Sequence, residues 1–244
     1  MTEGSPASSA WVPRTIIAVV ALGVGIAIYS IAVGEGGPQA VEVKGRVEVQ
    51  KLIAGIRQEG ERLGPPDAAV EIDLFTDVRA VPAAEFQREV IDPVIVEYVR
   101  EGRAQINLRH FSFGRTAVTE PALGAHVAGE QGHQWQYAEL VLRNLSSAGP
   151  AGTDEEFLER IASVTPGLEK DEWDDAFAEE LGAQLEDPGY ESPVDQDGRL
   201  AFDLKLPAEP AVIVTGPGGS ETLPPTPALA EIRAAIERVE VPAS

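Results

Sequence analysis

Two strand patterns separated by one long helix pattern constrain the fold of this chain more than any other feature. Apolar side chains alternate with acidic ones from Val70 to Leu74, a two-residue period that predicts a β-strand. From Pro82 to Arg100 the apolar residues follow one helical face, and the internal Pro93 predicts a kink. The stretch 104–113, which follows a turn at 101–103, predicts the second strand. The three elements form a βαβ unit, so we expect parallel strands and a right-handed crossover.

Helix patterns dominate the chain after this unit. Four of them occupy most of residues 121–186, and the third begins at Thr153 with the spacing of a capping box to Glu156. A short apolar strand follows at 210–216, and the chain closes with a Gly/Pro-rich loop and an amphipathic helix. The pattern predicts an α/β fold with a helical insertion at about 118–190.

The N-terminal part of the chain contains a candidate membrane anchor. Residues 15–33 form an uncharged run of 19 residues, close to the length of a helix that crosses a bilayer. Arg14 places a positive charge before it, so we expect residues 1–14 to stay cytoplasmic and the rest to lie outside a plasma membrane crossed once. A cleavable signal peptide is the alternative, but its apolar core would be shorter, and Ala32 to Gly34 form a weak cleavage site.

The segment after this candidate anchor differs in composition from the rest. Residues 34–62 begin with glycines and continue as a helix pattern with an apolar face that includes Val49 and Ile53. We expect a linker and a juxtamembrane helix here, followed by the globular domain at 63–244.

The chain is strongly acidic. It holds 40 acidic and 19 basic residues, for a net charge of -21. This charge would repel a phosphate backbone, so we expect no nucleic-acid partner. The acidic residues are dense in the stretch 151–200, which favours either a solvated helical surface or an acidic docking surface.

Cysteine is absent from the sequence, which excludes disulfides, thiolate nucleophiles and cysteine metal sites. The histidines do not have the spacing of metal ligands, and they stand at positions 110, 126 and 133. We therefore expect neither a metal nor a cofactor.

The order of elements and three local segments resemble the DsbA-like branch of the thioredoxin fold. The stretch "AGIRQEGERLGPPDAAVEIDLFTD", residues 54–77, is similar to the lead-in of these proteins. "GEQGHQW" at 129–135 resembles the family's Gly-Glu-Gln-Gly-x-x-Trp helix junction, and 153–173 resembles the passage between two insertion helices. The resemblance covers about residues 53–240. It implies a thioredoxin-like fold with a helical insertion and, for the family, thiol-disulfide exchange.

In that family the first strand ends in an aspartate-containing turn followed by Cys-Pro-x-Cys at a helix N-terminus. The helix dipole and backbone N–H groups there lower the pKa of the first thiol. Alignment on Asp77 and Phe86 places Ala80 and Ala83 at the two cysteine positions. An alanine methyl cannot attack or hold a disulfide, so the resemblance implies a site with no catalytic residue.

A second departure concerns the strand beneath this site. Family members carry a buried acidic residue there, and the matching position in this chain is Leu74. Leucine removes the desolvation cost of a carboxylate that is useful only for redox chemistry. An alignment shifted by one residue would place Asp73 at this position instead.

The thioredoxin fold also places a cis-proline opposite the active-site turn, and the matching pair here is Glu209 and Pro210. We therefore predict that Pro210 is cis. In relatives this loop binds an extended polypeptide through backbone groups, a contact that needs no cysteine, although the proline alone could simply preserve the fold. We call the implied binding groove the motif site, and it consists of Ala80, Val81, Pro82, Ala83, Glu209 and Pro210.

These inferences predict a redox-inactive, membrane-anchored domain that acts by binding protein. The partner would be a protein, and the domain would serve as an accessory or scaffold subunit of a membrane or envelope assembly, with lipid contacts made by residues 15–33. A holdase chaperone that binds extended peptides is the alternative. The family resemblance alone would instead imply a thiol-disulfide oxidoreductase.

Overall fold

The structure is a computed structural model that describes most of the chain after its N-terminal segment. The described residues are 42–113, 119–147, 153–187 and 189–241. The predicted anchor at 15–33 and the tail before it lie outside them. Within the described ranges, no helix is both long enough and apolar enough to span a membrane. Apart from Glu42, the described residues belong to one unit that extends from Val43 to Ser244.

The described residues contain six strands that form a single mixed sheet. The strands are β1 (Gln58–Glu59), β2 (Arg62–Leu63), β3 (Val70–Thr76), β4 (Ala104–His110), β5 (Ala211–Gly216) and β6 (Gly219–Thr222). Their order across the sheet is β1-β2-β4-β3-β5-β6. Strands β3 and β4 are parallel, with Ile72 opposite Ile106, and the other neighbours are antiparallel. The predicted parallel pairing of β3 and β4 is confirmed.

Eight helices accompany this sheet in the described part of the chain. They are α1 (Arg46–Ile53), α2 (the four consecutive segments Val81–Phe86, Gln87–Ile91, Asp92–Val94 and Ile95–Val99), α3 (Glu120–Glu130), α4 (Gln134–Asn144), α5 (Glu155–Val164), α6 (Lys170–Glu186), α7 (Pro193–Asp203) and α8 (Leu229–Val239). A short 3-10 helix, Leu145–Ser147, extends α4. Helices α3 to α6 form the predicted insertion between β4 and β5.

Helix α2 changes its hydrogen-bonding pattern around Pro93. The segments Gln87–Ile91 and Ile95–Val99 are π-helical, and the amide of Arg100 donates to the carbonyl of Ile95, five residues earlier. Proline has no N–H to donate, and its ring crowds the preceding turn, so the regular ladder is interrupted there. The kink predicted at Pro93 stays a prediction, while the hydrogen bonding on either side of it is that of these two π-helical segments.

The two faces of the sheet pack against different helices. Successive side chains of a strand point to opposite faces, so Leu74 enters the main core, which includes residues of α2, whereas Phe75 enters a smaller core on the other side. Phe75 packs there with Ala201 of α7 and with Leu206 just beyond that helix. Helix α7 therefore covers the face of the sheet opposite α2.

Residues 43–62, predicted as part of a linker and a juxtamembrane helix, contribute directly to this architecture. Val49 and Ile53 of α1 lie in the main core, and β1 and β2 extend one edge of the sheet. The guanidinium of Arg100 donates to three carbonyl groups at the end of α1, those of Lys51, Leu52 and Ala54.

Two helix assignments differ from the sequence expectations. Helix α5 is capped by Asp154 rather than Thr153, because the Asp154 carboxylate accepts the amide of Phe157 at 3.0 Å. Helix α7 was not predicted at all. Its capping box, in which Ser192 and Asp195 bond reciprocally, was a readable signal, but Gly198 weakens its helical pattern.

Candidate functional site

The first turn of α2 holds four of the six residues of the motif site. Ala80 is the N-cap with an extended backbone, and Val81, Pro82 and Ala83 occupy the next three positions. Pro82 is tolerated in this first turn because amides there have no partner within the helix. The amide of Ala84 donates to the carbonyl of Ala80 at 3.1 Å. The two alanines that match the family cysteines thus lie three residues apart at the start of a helix.

These positions differ in exposure. Ala83 is 2% exposed and lies in the main core, whereas Val81 is 59% exposed. Ala80 is partly buried and packs against the edge of the same core. A side chain at position 80 therefore reaches the surface, and one at position 83 does not.

The position beneath α2 is apolar. Leu74 is fully buried and belongs to the same cluster as Ala83. Asp73 lies on the opposite face, where its carboxylate accepts from the Asn107 amide and from Nε of Arg109, both at 3.1 Å. The position matched to the family's acidic residue therefore lies on the side of β3 that faces α2. On that side β3 presents no carboxylate.

The loop before β5 closes the other side of the motif site. The bond between Glu209 and Pro210 is cis, which confirms the prediction for Pro210. The Pro210 carbonyl accepts the amide of Thr226 at 3.0 Å, and the Glu209 carboxylate accepts the amide of Phe113. This loop is thereby joined to the segment that follows β4.

A charged pair that sequence reasoning missed occupies the turn between β3 and α2. Arg79 donates through Nε and one terminal nitrogen to both oxygens of Asp77, at 3.0 and 2.7 Å, and reaches Ser112 Oγ at 3.3 Å. Burial favours a higher pKa for Asp77, but the hydrogen bonds and charge of Arg79 outweigh it, so the pKa of this carboxyl is lowered. The bond to Asp77 likewise raises the pKa of Arg79.

A small cavity of about 320 Å³ opens at this turn. It is lined by Asp77, Arg79, Ala80, Ser112, Phe113 and Glu209. The structure thus brings Ala80 and Glu209 together, while Val81, Pro82, Ala83 and Pro210 do not line it. Asp77 and Arg79 are held in an ion pair, and the lining residues include no cysteine.

A larger cavity of about 970 Å³ adjoins the small one and shares Asp77, Ser112 and Phe113 with it. We call it the aromatic cavity, and its apolar lining includes Val78, Phe111, Phe113, Val194, Phe202 and Leu206. Phe113 and Phe202 are 56% and 79% exposed. Sequence reasoning missed this cavity because one of its walls is the unpredicted helix α7.

His110 also lines the aromatic cavity and is buried. Its Nε2 lies 3.2 Å from the amide nitrogen of Gln134. Burial, and to a lesser degree the nearby His126, lowers the pKa of His110 to about 3. The imidazole is therefore neutral at physiological pH.

The fold and the motif site together define a class. A mixed sheet with a parallel βαβ unit, a helical insertion before β5 and a cis-proline facing the N-terminus of α2 describe a thioredoxin-like protein of DsbA type. The Thioredoxin family model matches residues 57–217. The chain belongs to this family, as a DsbA-like member that contains no cysteine.

Solved structures support the same fold. Oxidised BdbD from Bacillus subtilis aligns with a TM-score of 0.57 at 16% identity, covering 75% of this chain and 96% of that one. The alpha-DsbA1 protein of Wolbachia pipientis gives 0.57 at 17%, covering 74% and 90%. MdbA from Corynebacterium matruchotii, a thiol-disulfide oxidoreductase, gives 0.54 at 12%, covering 74% and 94%. A search among curated protein sequences finds no significant match.

Proposed function

We propose that this chain is a redox-inactive DsbA-like domain that acts by binding another protein. One observation carries the proposal: the sequence contains no cysteine, and the two positions that the alignment matches to the family's cysteines are Ala80 and Ala83 at the start of α2. The cis-proline of the fold is present at Pro210. No cysteine elsewhere in the sequence could supply the missing thiols. Exchange requires a thiolate and a leaving thiol, and the motif site has neither.

The surroundings of the motif site agree with the loss of this chemistry. Leu74 buries an apolar side chain beneath α2, where a carboxylate would be costly without redox work to do. Arg79 is engaged by Asp77 and Ser112 rather than directed at a reactive group. These features support a site maintained for shape and binding.

We further propose that the partner belongs to a membrane or envelope assembly and that this chain is its accessory or scaffold subunit. The apolar run at 15–33 would anchor the chain in the plasma membrane, with the domain outside the cytoplasm. The retained fold offers two adjoining cavities and an exposed Val81 for such a contact.

A holdase chaperone is the second candidate, and the aromatic cavity favours it. A cavity of about 970 Å³ with apolar walls could accept side chains from many unfolded segments. The two functions differ in selectivity, because a scaffold has a defined partner and a holdase has a diffuse set of clients.

Photo-crosslinking in the native membrane tests the proposal. A photo-reactive amino acid at Val81 of the full chain reports on the motif site, and one at Val47 of α1, which is 60% exposed, is the matched control. We expect a reproducible protein adduct from position 81 and not from position 47. A diffuse set of adducts would favour the holdase, and equal labelling from both positions would contradict protein binding at the motif site.

A further inference from the structure

The aromatic cavity is a separate feature from the positions of the lost cysteines. Its lining does not include Ala80, Ala83 or Pro210, and it is formed by the ends of β3 and β4, the start of α3 and helix α7. Its volume of about 970 Å³ lies at the upper end of the range usual for ligand sites.

A row of aromatic rings leads from the protein interior to this cavity. Phe75 is fully buried and contacts Phe111 edge-on, with ring centroids 6.5 Å apart, and Phe111 contacts the exposed Phe113 in the same way at 6.3 Å. Phe202 of α7 adds a further exposed ring. Large exposed rings around one cavity are characteristic of an interaction surface, because their exposure to water costs free energy.

The walls of the cavity are held in place without a ligand. The carboxylate of Asp197 in α7 accepts the amide of His110 at 2.9 Å and lies 3.3 Å from Arg109 of β4. The capping box of Ser192 and Asp195 defines the start of the same helix. A preformed cavity of this kind loses less conformational entropy when a ligand binds.

The charge around the cavity favours a basic ligand. Its lining contains four acidic residues, Asp77, Glu191, Asp195 and Asp203, and two basic residues, Arg199 and Lys205. Arg199 is paired with Glu191. The described part of the lining thus carries 2 − 4 = −2 charges, and counting Arg79, which pairs with Asp77 from outside the lining, leaves −1 in a chain of net charge -21. This excess of negative charge would attract a cationic partner and repel an anionic one.

We propose that the aromatic cavity binds a basic segment of a partner polypeptide, with an aromatic or aliphatic side chain placed among Phe111, Phe113 and Phe202. Lysine or arginine side chains of the same segment lie over the acidic residues of the lining. This inference rests on the proposed protein-binding function and names the chemistry of the partner.

Two glycines offer a matched pair of variants. A Cβ at Gly198 of α7 meets no atom within 4 Å, and this glycine lines the cavity. A Cβ at Gly182 of α6 also meets no atom within 4 Å, but this glycine does not line the cavity. Gly198→Phe would fill the cavity, whereas Gly182→Phe makes the same chemical change elsewhere.

The probe is a short fluorescein-labelled peptide in which Phe and Leu alternate with Lys, and its binding to the full chain in nanodiscs of uncharged lipid is followed by anisotropy. One matched peptide replaces Phe and Leu by Ser, and another replaces Lys by Glu. We expect both replacements to abolish measurable binding. We expect Gly198→Phe to weaken binding about tenfold or more and Gly182→Phe to change it less than about twofold.

Several results would overturn this inference. If the two glycine variants bind the peptide equally, the cavity does not take part in the contact. If the serine peptide binds as well as the original one, the apolar side chains of the peptide do not anchor it. A third result is that the chain fails to bind the peptide and dimerises with rising concentration, with Gly198→Phe alone abolishing the dimer. In that case the cavity binds a second copy of the chain. Crosslinking from Val81 reports on the motif site alone, so it can succeed when the peptide experiment fails.

Discussion

Two adjoining regions of this molecule share three residues and differ in nearly everything else. A cavity of about 320 Å³ beside the motif site has an ion pair in its lining, and the aromatic cavity encloses about 970 Å³ between largely apolar walls. Asp77, Ser112 and Phe113 belong to both. Of these two cavities, the one beside the positions matched to the family's cysteines is the smaller, and the other has the more apolar lining.

The difference has a physical origin in the side chains. Beside the motif site Arg79 and Asp77 pair with each other, and the two alanines of the motif site offer no reactive atom. At the aromatic cavity Phe113 and Phe202 remain largely exposed, so a ligand that covered them would gain free energy from burial.

The largest effect should come from restoring the cysteines. In the double variant Ala80→Cys/Ala83→Cys we expect thiol-disulfide exchange to rise by roughly two orders of magnitude above the background of the natural chain, because both positions lie at a helix N-terminus where a thiolate is stabilised. An insulin reduction assay measures it. The control Ala80→Ser/Ala83→Ser should stay at background. Exchange by the natural chain at the level of a cysteine-containing relative would contradict the proposed function.

The position beneath the motif site should not accept an acid. We expect Leu74→Glu to lower the free energy of unfolding by about 4 kcal/mol, since the carboxylate would be buried without a partner. Leu74→Met, which keeps the volume and the apolar character, should cost less than about 1.5 kcal/mol. Denaturant unfolding of both variants decides the matter, and equal stability would show that the site still accommodates a charge.

The buried carboxyl of Glu139, which accepts a hydrogen bond from Gln87 of α2, predicts that alkaline pH lowers the stability of the fold. Burial raises the pKa of Glu139 to about 8, the charge of Asp92 adds to this, and Arg143 and the amide of Gln87 oppose it. Because folding raises the pKa of Glu139, its contribution to stability is fully present below the pKa that it has in the unfolded chain. That contribution is lost as pH rises through about 8.

We therefore expect Glu139→Gln to be more stable than the natural chain above pH 8, by on the order of a few kcal/mol, and the advantage to disappear below about pH 5. Denaturant unfolding at a series of pH values measures the difference. Glu130→Gln, at an exposed position, is the control, and its stability should depend on pH as that of the natural chain does. Parallel curves for Glu139→Gln as well would refute the raised pKa.

The smallest effect concerns the wall of the aromatic cavity. Asp197→Ala should destabilise the fold by about 1–2 kcal/mol, because the amide of His110 and the guanidinium of Arg109 lose an acceptor. Asp197→Asn keeps an oxygen for the His110 amide and should recover part of this loss. Thermal unfolding compares the two, and an alanine variant as stable as the natural chain would mean that Asp197 does not hold α7 in place.

Much of the scaffold was predictable because local patterns report local structure. The alternation at 70–74 and the stripe at 82–100 defined the βαβ unit, and the resemblance located Pro210 as the cis residue. Helix α7 was not predicted, because Gly198 interrupts its helical pattern. The N-cap of α5 was predicted one residue too early, because Thr153 and Asp154 are both good N-cap residues.

The sequence by itself determined what this chain cannot do at the motif site, since the absence of cysteine and the alanines at 80 and 83 need no structure to be seen. Only the tertiary structure decided where the aromatic cavity lies. The aromatic cavity gathers residues from 76–78, 110–113 and 189–206, and such separate stretches meet only through packing. Periodicity describes which face of an element is apolar, but a cavity depends on how several elements pack together.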